Sequence, residues 1–373
     1  MNGRTILYTL LILLISCLFQ IQAESERVEI RNGVIEDFES GDLKIVDNSE
    51  GEWGHINVDD IRTLEKRPVN DVAPLVVAGK FHRIYNPGVG EDKSWYINDH
   101  CFVRHNDGVW HLFGITHEEP ANPLDEDNFA HATSKSLNSF PWEKHPFALS
   151  VMEDPWKETH LWAPHVIKHG DTYYMYYCAG DKDSAKYKIH LATSKDLFKW
   201  KRHPKNPMVV DGYDARDPFI LKVGDKWIMY YTATSKPEGG NHVVACRESD
   251  DLITWENRRI VFTDPSTGKI GGPTESPFVV RRGKFYYLFI GPRGGYVGTD
   301  VFQSADPLHF DIADKVGHIN SHAAEVIRDV NGKWYVSHCG WGQGGVSLAP
   351  LYWNDGADDN INTSVPVPGG NIK

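Results

Sequence analysis

Short apolar and aromatic runs recur along this chain, separated by turns that contain Gly, Asn or Asp. Each unit has a β-branched run, a turn, and a second run rich in Tyr, Trp, Met and Val, which is the pattern of a β-hairpin. Five such hairpins occupy residues 99–115, 163–180, 217–234, 276–292 and 324–340. The pattern predicts an all-β fold built from repeats.

A second element follows the first four hairpins and predicts two further strands in each repeat. It starts as FAHATSK at Phe129 and recurs as IHLATSK from Ile189, VVACRES from Val243 and VGTDVFQ from Val297. Four-stranded units repeated five times, at spacings of about 50 to 65 residues, are typical of propeller blades. We therefore expect a five-bladed β-propeller with a small N-terminal extension.

The repeats also set the expected domain boundaries. Residues 91–350 form the propeller, and residues 351–373 form a short C-terminal tail. Residues 24–90 fall outside the repeat pattern and are rich in Asp, Glu and Gly. We expect them to form an extension that packs on the propeller or closes its last blade.

The first 23 residues have the pattern of an export signal. Arg4 precedes an apolar run at 6–18, and a polar, charged segment follows Ala23. The segment Leu14–Cys17 also resembles a lipobox, so cleavage near Ala23 and lipidation of Cys17 stay open as alternatives. The apolar run is short for a membrane span. Both alternatives predict a secreted, periplasmic or cell-surface protein, the second with a lipid anchor.

Charge and cysteine content narrow the function further. The chain has 39 Lys and Arg against 51 Asp and Glu, with no basic block, which argues against a nucleic-acid partner and favours neutral ligands. No CxxC spacing suggests a zinc site. Four cysteines lie far apart within strand-like runs, so we expect buried free thiols; these are Cys101, Cys178, Cys246 and Cys339.

Acidic residues stand where the first strand of a repeat begins. In a propeller these inner strands line the central channel, so Asp99, Asp217 and Glu275 are expected to converge there. Clustered like charges are costly unless they are used. Glycoside hydrolysis needs one protonated carboxylic acid and one carboxylate. We assign Glu275 as the general acid, Asp99 as the base or nucleophile, and Asp217 as the modulator of their pKa values.

The motifs around these acids resemble glycoside hydrolase families 43 and 32. The WAP element of family 43 is similar to Trp162-Ala163-Pro164. The WMNDP element of family 32 is similar to residues 95–99, and the RDP element of that family is similar to Arg216-Asp217-Pro218. Thr274–Pro277 resembles the element that carries the acid in both. The resemblance covers roughly residues 90 to 350 and implies a five-bladed propeller acting on carbohydrate without a redox cofactor. Resemblance to family 43 implies inversion of the anomeric configuration, whereas resemblance to family 32 implies its retention. His100 follows Asp99 at a position where both families usually have Pro.

Several residues near these motifs are candidates for substrate binding. Indole faces suit the C–H face of a sugar, and an Arg beside carboxylates suits vicinal hydroxyls or an anionic sugar. The candidates are Trp95, Asn98, Trp162, His165, Arg216, Arg293 and His322, with Trp341 as a further stacking platform. The resemblance also implies a fifth-blade His beside a central ion. His322 is therefore a candidate metal ligand, and we expect a calcium or other ion in the channel.

Two functions from different classes remain at this point. The first is a glycosidase, exo-acting on a plant or algal polysaccharide or oligosaccharide, because bulky aromatic loops around a channel favour a pocket over a groove. The second is a catalytically silent propeller that binds glycans.

Overall fold

The computed structural model describes residues 74–180 and 187–357. The export signal, Cys17, most of the extension and the end of the C-terminal tail lie outside the described residues. Two short strands come first, β1 (Val76–Ala78) and β2 (His82–Tyr85).

Four blades follow one another along the chain, each with its inner strand first, and the fourth is joined to the fifth blade in one continuous sheet. The first contains β3 (Trp95–Arg104), β4 (Trp110–Glu118), β5 (Asn128–Ser134) and β6 (Glu143–Ser150). The second contains β7 (Leu161–His169), β8 (Thr172–Ala179), β9 (Lys188–Ser194), β10 (Lys201–Arg202) and β11 (Val209–Val210). The third contains β12 (Arg216–Val223), β13 (Lys226–Lys236), β14 (Gly239–Ser249) and β15 (Glu256–Gly268). The fourth contains β16 (Glu275–Arg282), β17 (Phe285–Gly291), β18 (Thr299–Ser304) and β19 (Lys315–Ile319).

The fifth blade is completed by the first two strands. Its own strands are β20 (Val326–Arg328), β21 (Trp334–His338) and β22 (Val346–Trp353). β1 pairs antiparallel with β22, with Val76 opposite Trp353, and β2 pairs with the same strand. β1 also pairs in parallel with β19 of the fourth blade. The predicted extension thus supplies the outer strands of blade five, and the segment predicted as the tail begins inside β22.

The architecture confirms the predicted all-β, five-bladed propeller. Two single-turn 3-10 helices, η1 (Pro123–Asp125) and η2 (Ile312–Asp314), lie in the inter-strand segments. Among the described residues, no helix is long and apolar enough to cross a membrane. The prediction of free thiols is also confirmed, since Cys101, Cys178, Cys246 and Cys339 are all buried and unbridged.

Apolar side chains fill the spaces between neighbouring blades. Phe219 of blade three packs on Phe278 of blade four, with ring centroids 4.2 Å apart. Farther out, Phe262 and Phe302 join the same two blades at 4.7 Å. Burial of such aromatic surfaces is the main stabilising term of a fold that has no helical layer. The hydrophobic core is therefore divided among the interfaces between blades. The polar residues at the starts of the inner strands face the propeller axis.

A recurrent backbone bulge sets the direction of the inner-strand side chains. The pairing register of β3, β7, β12 and β16 with the next strand shifts at the same place in each blade. In blades two to five a non-glycine residue there adopts a left-handed conformation; these are Ala163 (φ 46°), Asp217 (φ 53°), Ser276 (φ 48°) and Ala323 (φ 47°). Each such residue costs roughly 1 to 2 kcal/mol. Strain repeated around one axis marks a functional centre.

Candidate active site

The three predicted acids meet at the axis through Arg216 and Ser276. Ser276 Oγ donates a hydrogen bond to Asp99, and Ser276 N donates to Asp217 Oδ2 at 3.0 Å. Arg216 Nη2 donates to Glu275 Oε1 at 3.0 Å, and Arg216 Nη1 lies 3.7 Å from Asp217 Oδ2. Side chains from blades one, three and four therefore form one connected cluster, as the repeat pattern predicted.

Arg216 is buried among carboxylates. Its guanidinium Nε donates to Asp214, a fully buried residue, while its two terminal nitrogens face Asp217 and Glu275. Tyr187 covers the guanidinium, with the ring centroid 5.8 Å from Arg216 Cζ. A guanidinium held by three acids has little capacity left to neutralise an anionic sugar. Its position favours orienting the acids and contacting neutral hydroxyls.

Burial and mutual repulsion raise the pKa values of two of the acids. Burial raises the pKa of Asp99 to about 7, with a further upward contribution from the charge of Asp217, whereas Ser276 and Arg216 oppose it. Burial likewise raises the pKa of Glu275 to about 8, where Arg216 opposes the shift and Asp217 and Asp99 add to it. Burial thus favours retention of a proton within this pair near neutral pH. Two neighbouring carboxyl groups of which one is protonated and the other ionised can serve as an acid and base pair.

The pocket at this cluster receives residues from every blade. It is lined by Asp99, His100, Ala163, Pro164, His165, Asp217, Pro218, Phe219, Ser276, Pro277, Ala323 and Glu325. No Lys or Arg belongs to this lining. His165 lies against Phe219, its Nε2 has no hydrogen-bond partner, and burial lowers the pKa of its imidazole to about 3. The pocket is therefore acidic, with a neutral histidine in its wall.

The predicted binding tryptophans occupy different places. Trp162 forms part of an aromatic wall on blade two, 3.9 Å from His160 and 4.9 Å from Tyr187 between ring centroids. Trp95 lies at the start of β3 but packs against His117 and Phe147, and it does not line the pocket. The cluster of acids thus has an aromatic wall on the blade-two side.

Two further predicted residues have other partners. Asn98 is buried beside Asp99, and its Oδ1 has no hydrogen-bond partner. Arg293 does not line the pocket: its Nη1 donates to Asp264 at 2.7 Å and its Nε to Asp300 at 2.8 Å. The charge of Arg293 is thus satisfied by two carboxylates of its own neighbourhood, and its sugar-binding role stays a prediction.

His322 is placed by Tyr296 and not by a ligand cluster. Its Nδ1 lies 3.0 Å from the Tyr296 carbonyl, and its ring stacks on that tyrosine with centroids 4.0 Å apart. Across residues 74–180 and 187–357, no three His, Cys, Asp or Glu side chains gather as a metal site would require. The metal-ligand role of His322 and the channel ion both stay predictions.

Some residues of the site were missed by the sequence analysis. Ser276 joins two acids through its backbone and its hydroxyl, Asp214 holds Arg216, and Glu325 adds a carboxyl to the pocket. Glu325 follows the fifth repeat start, so its place in the repeat is a signal that could have found it. Asp214 precedes its blade's repeat, and nothing in the pattern singles it out.

Comparison with known proteins defines the class to which this propeller belongs. Residues 98–290, just over half of the chain, match the profile of Glycosyl hydrolases family 43. The chain belongs to this glycosidase family. A probable arabinan endo-1,5-alpha-L-arabinosidase A of Aspergillus flavus is 26% identical over 250 residues, which cover 64% of this chain and 70% of that protein. A beta-1,2-mannobiose phosphorylase of Thermoanaerobacter is 27% identical over 138 residues, covering 32% of this chain and 45% of the phosphorylase.

Solved structures show the same fold. A thermostable family-43 glycoside hydrolase superposes with a TM-score of 0.56 at 20% identity, covering 73% of this chain and 94% of that one. A β-xylosidase/α-arabinofuranosidase from a compost metagenome gives 0.54 at 18% identity, with 70% and 93% covered. A family-32 β-fructofuranosidase of Bombyx mori gives 0.53 at 19% identity, covering 72% and 61%. The suspected resemblance to both families is confirmed.

Proposed function

We propose that this glycosidase hydrolyses a neutral plant or algal glycan, releasing sugars from the end of a short chain. In this mechanism Glu275 is the general acid, Asp99 is the general base that activates water, and Asp217 tunes both. The observation that carries the proposal is the convergence of Asp99, Asp217 and Glu275 on one cluster through Arg216 and Ser276. Burial raises the pKa values of Asp99 and Glu275, so one carboxyl group of the pair can hold a proton near neutral pH while the other is ionised.

The chemistry follows from this arrangement. Glu275 gives its proton to the glycosidic oxygen as that bond breaks, while Asp99 takes a proton from the water that attacks the anomeric carbon. Arg216 holds Glu275 through Nη2, and Ser276 holds Asp99. Water attack predicts inversion, in line with family 43, and NMR of the first product would show the opposite anomer to the substrate.

A neutral substrate is supported by the charges of the site. The pocket lining contains Asp99, Asp217 and Glu325 and no Lys or Arg, and Arg216 beside it is already engaged by carboxylates. The same feature disfavours phosphorolysis, the reaction named for one relative, because a phosphate dianion would approach an acidic pocket. Added phosphate should therefore neither accelerate hydrolysis nor appear in the product. The pattern of residues 1–23 supports action outside the cytoplasm.

The acid assignment is tested with Glu275→Gln on aryl glycosides and oligosaccharides. We expect a loss of roughly 100- to 10,000-fold in kcat on substrates with poor leaving groups, with sugar binding retained. The loss should shrink on dinitrophenyl glycosides, whose leaving group needs little protonation, whereas Asp99→Asn should lose activity on both. Glu256→Gln, at an exposed position of β15, is the matched control. Unchanged turnover in Glu275→Gln would remove the assignment, and binding without hydrolysis by the wild type would favour the silent glycan-binding propeller.

A further inference from the structure

The loop after β21 is fastened to the strand that carries Asp99. Gly340 N donates to the Ile97 carbonyl at 2.8 Å, and Ile97 N donates to the Gly344 carbonyl at 2.7 Å. Cys339 Sγ lies 3.2 Å from the Asn98 carbonyl. These contacts place the loop, and with it Trp341, on the Asp99 side of the pocket mouth.

The loop reaches this position because glycine alternates along it. Gly340 (φ 129°), Gly342 (φ 70°) and Gly344 (φ 70°) all have left-handed backbone conformations. A Cβ on Gly340 would stand 2.9 Å from Tyr296 Oη and 3.1 Å from His322 Cδ2. The side chain between these glycines is therefore presented in a fixed place by a backbone that few other residues would allow.

Trp341 is held at both its backbone and its ring. Its N–H donates to Tyr296 Oη at 2.8 Å, and its indole stacks on the Tyr296 ring with centroids 5.3 Å apart and planes 13° from parallel. Tyr296 in turn stacks on His322. Trp341 is only partly buried and does not line the pocket itself, so part of an ordered aromatic surface is left exposed on the loop that is bonded to the Asp99 strand.

Glu126 connects this aromatic surface to blade one. It lies between η1 and β5 with only 1% of its surface exposed, and its Oε1 accepts from Tyr96 Oη at 2.8 Å and from Trp341 Nε1 at 3.0 Å. Tyr96 is three residues before Asp99 on β3. Burial raises the pKa of Glu126 to about 8. Burying a carboxyl group costs free energy because the group loses its hydration. The hydrogen bonds of Glu126 can offset this cost while they fix the side chains that donate them.

We propose that Glu126 is a positioning residue for sugar binding, which locks Trp341 and Tyr96 so that the indole forms one wall of the sugar subsite beside Asp99. The ligand is a neutral sugar ring, whose C–H face packs on the indole. This inference rests on the proposed function, because it assigns part of the same site. Its measurable consequence lies in binding and KM, since Glu126 touches Trp341 and Tyr96 and has no assigned proton transfer.

The test is a double-mutant cycle with Glu126→Leu, Trp341→Ala and the double variant, with oligosaccharide affinity measured by calorimetry and KM and kcat by hydrolysis. Glu126→Leu should raise Kd and KM at least tenfold with a smaller change in kcat, and most of this effect should be lost in the Trp341→Ala background, with the remainder attributable to Tyr96 and Trp162. Glu126→Gln keeps an acceptor oxygen and should restore binding to within about twofold. An equal effect of Glu126→Leu in both backgrounds, or no effect at all, would overturn the proposal.

Two smaller changes cover the case in which Glu126→Leu does not fold. Trp341→Phe keeps an aromatic ring but removes the indole N–H, and Tyr96→Phe removes the other donor; each should raise KM. Tyr177→Phe, which removes a hydroxyl donated to buried Glu158 at 2.8 Å in blade two, is the matched control and should leave KM unchanged. Sugar binding without hydrolysis by the wild type would contradict the proposed function. In that case the double-mutant cycle, measured through Kd alone, would still test the role of Glu126. A wild type that neither binds nor hydrolyses any sugar overturns both.

Discussion

Replacing Asp217 with Asn should move the whole pH profile of the enzyme to lower pH. The amide keeps an oxygen that can accept from Ser276 N and Thr232 Oγ1, the two donors that now reach Asp217 Oδ2, so the local fold is maintained. The negative charge is lost. Because that charge raises the pKa values of both Asp99 and Glu275, both should fall in the variant.

The size of the change follows from the two pKa values. In the wild type, kcat/KM should rise up to about pH 7, as Asp99 ionises, and fall above about pH 8, as Glu275 loses its proton. Below the first limb activity drops about tenfold per pH unit, so only about one or two per cent of the maximum remains at pH 5. A like charge in direct proximity is worth roughly one to three pKa units. We therefore compare kcat/KM at pH 5 as a fraction of each enzyme's own maximum. This fraction should be at least about tenfold higher in the variant than in the wild type.

The assay is kcat/KM on one aryl glycoside from about pH 4 to about pH 10, at constant ionic strength. Asp264→Asn is the matched control, since Asp264 is also a buried aspartate paired with an arginine but does not belong to the acid cluster; its profile should overlay that of the wild type. Limbs that stay in place in Asp217→Asn, or that move to higher pH, would refute the electrostatic coupling on which the acid and base roles depend.

Two other substitutions probe the same cluster. Ser276→Ala removes the hydroxyl that stabilises ionised Asp99, so the acidic limb of kcat/KM should move to higher pH and the active pH range should narrow from its acidic side; an unmoved acidic limb would contradict this role. Arg216→Met leaves buried Asp214 and its neighbours without a counter-charge, which should lower the free energy of unfolding by about 3 to 5 kcal/mol near pH 9, as measured by urea denaturation. The loss should be smaller near pH 5, because Asp214, with a pKa raised to about 6 by burial, and Glu275 are then protonated; equal losses at both pH values would argue against the assignment.

The sequence predicted those features that the repeat carries. Asp99, Asp217 and Glu275 lie within one residue of the repeat starts of three blades, and the starts of the inner strands of a propeller meet around its axis. Arg216 was found because it adjoins one of them. The pattern of apolar runs was likewise enough to predict five blades, because each blade needs its own apolar faces.

Contacts made between blades through loops could not be predicted in this way. Glu126 lies outside the repeated hairpins, and its partner Trp341 is distant in the chain, so no local pattern joins them. Arg293 is a second example: its place in a Gly-rich loop gave no indication that Asp264 and Asp300 would pair with it. Which cation pairs with which acid depends on three-dimensional distances that the order of residues does not state.

The pairing of β1 with β22 has a consequence for how the protein is made. Val76 finds its partner Trp353 only after nearly all of the propeller has been synthesised, so the ring stays open through most of translation. Joining positions so distant in sequence is a slow, late step of folding. Until it occurs, the free backbone edge of β1, and then that of β22, can pair with an exposed strand of another chain.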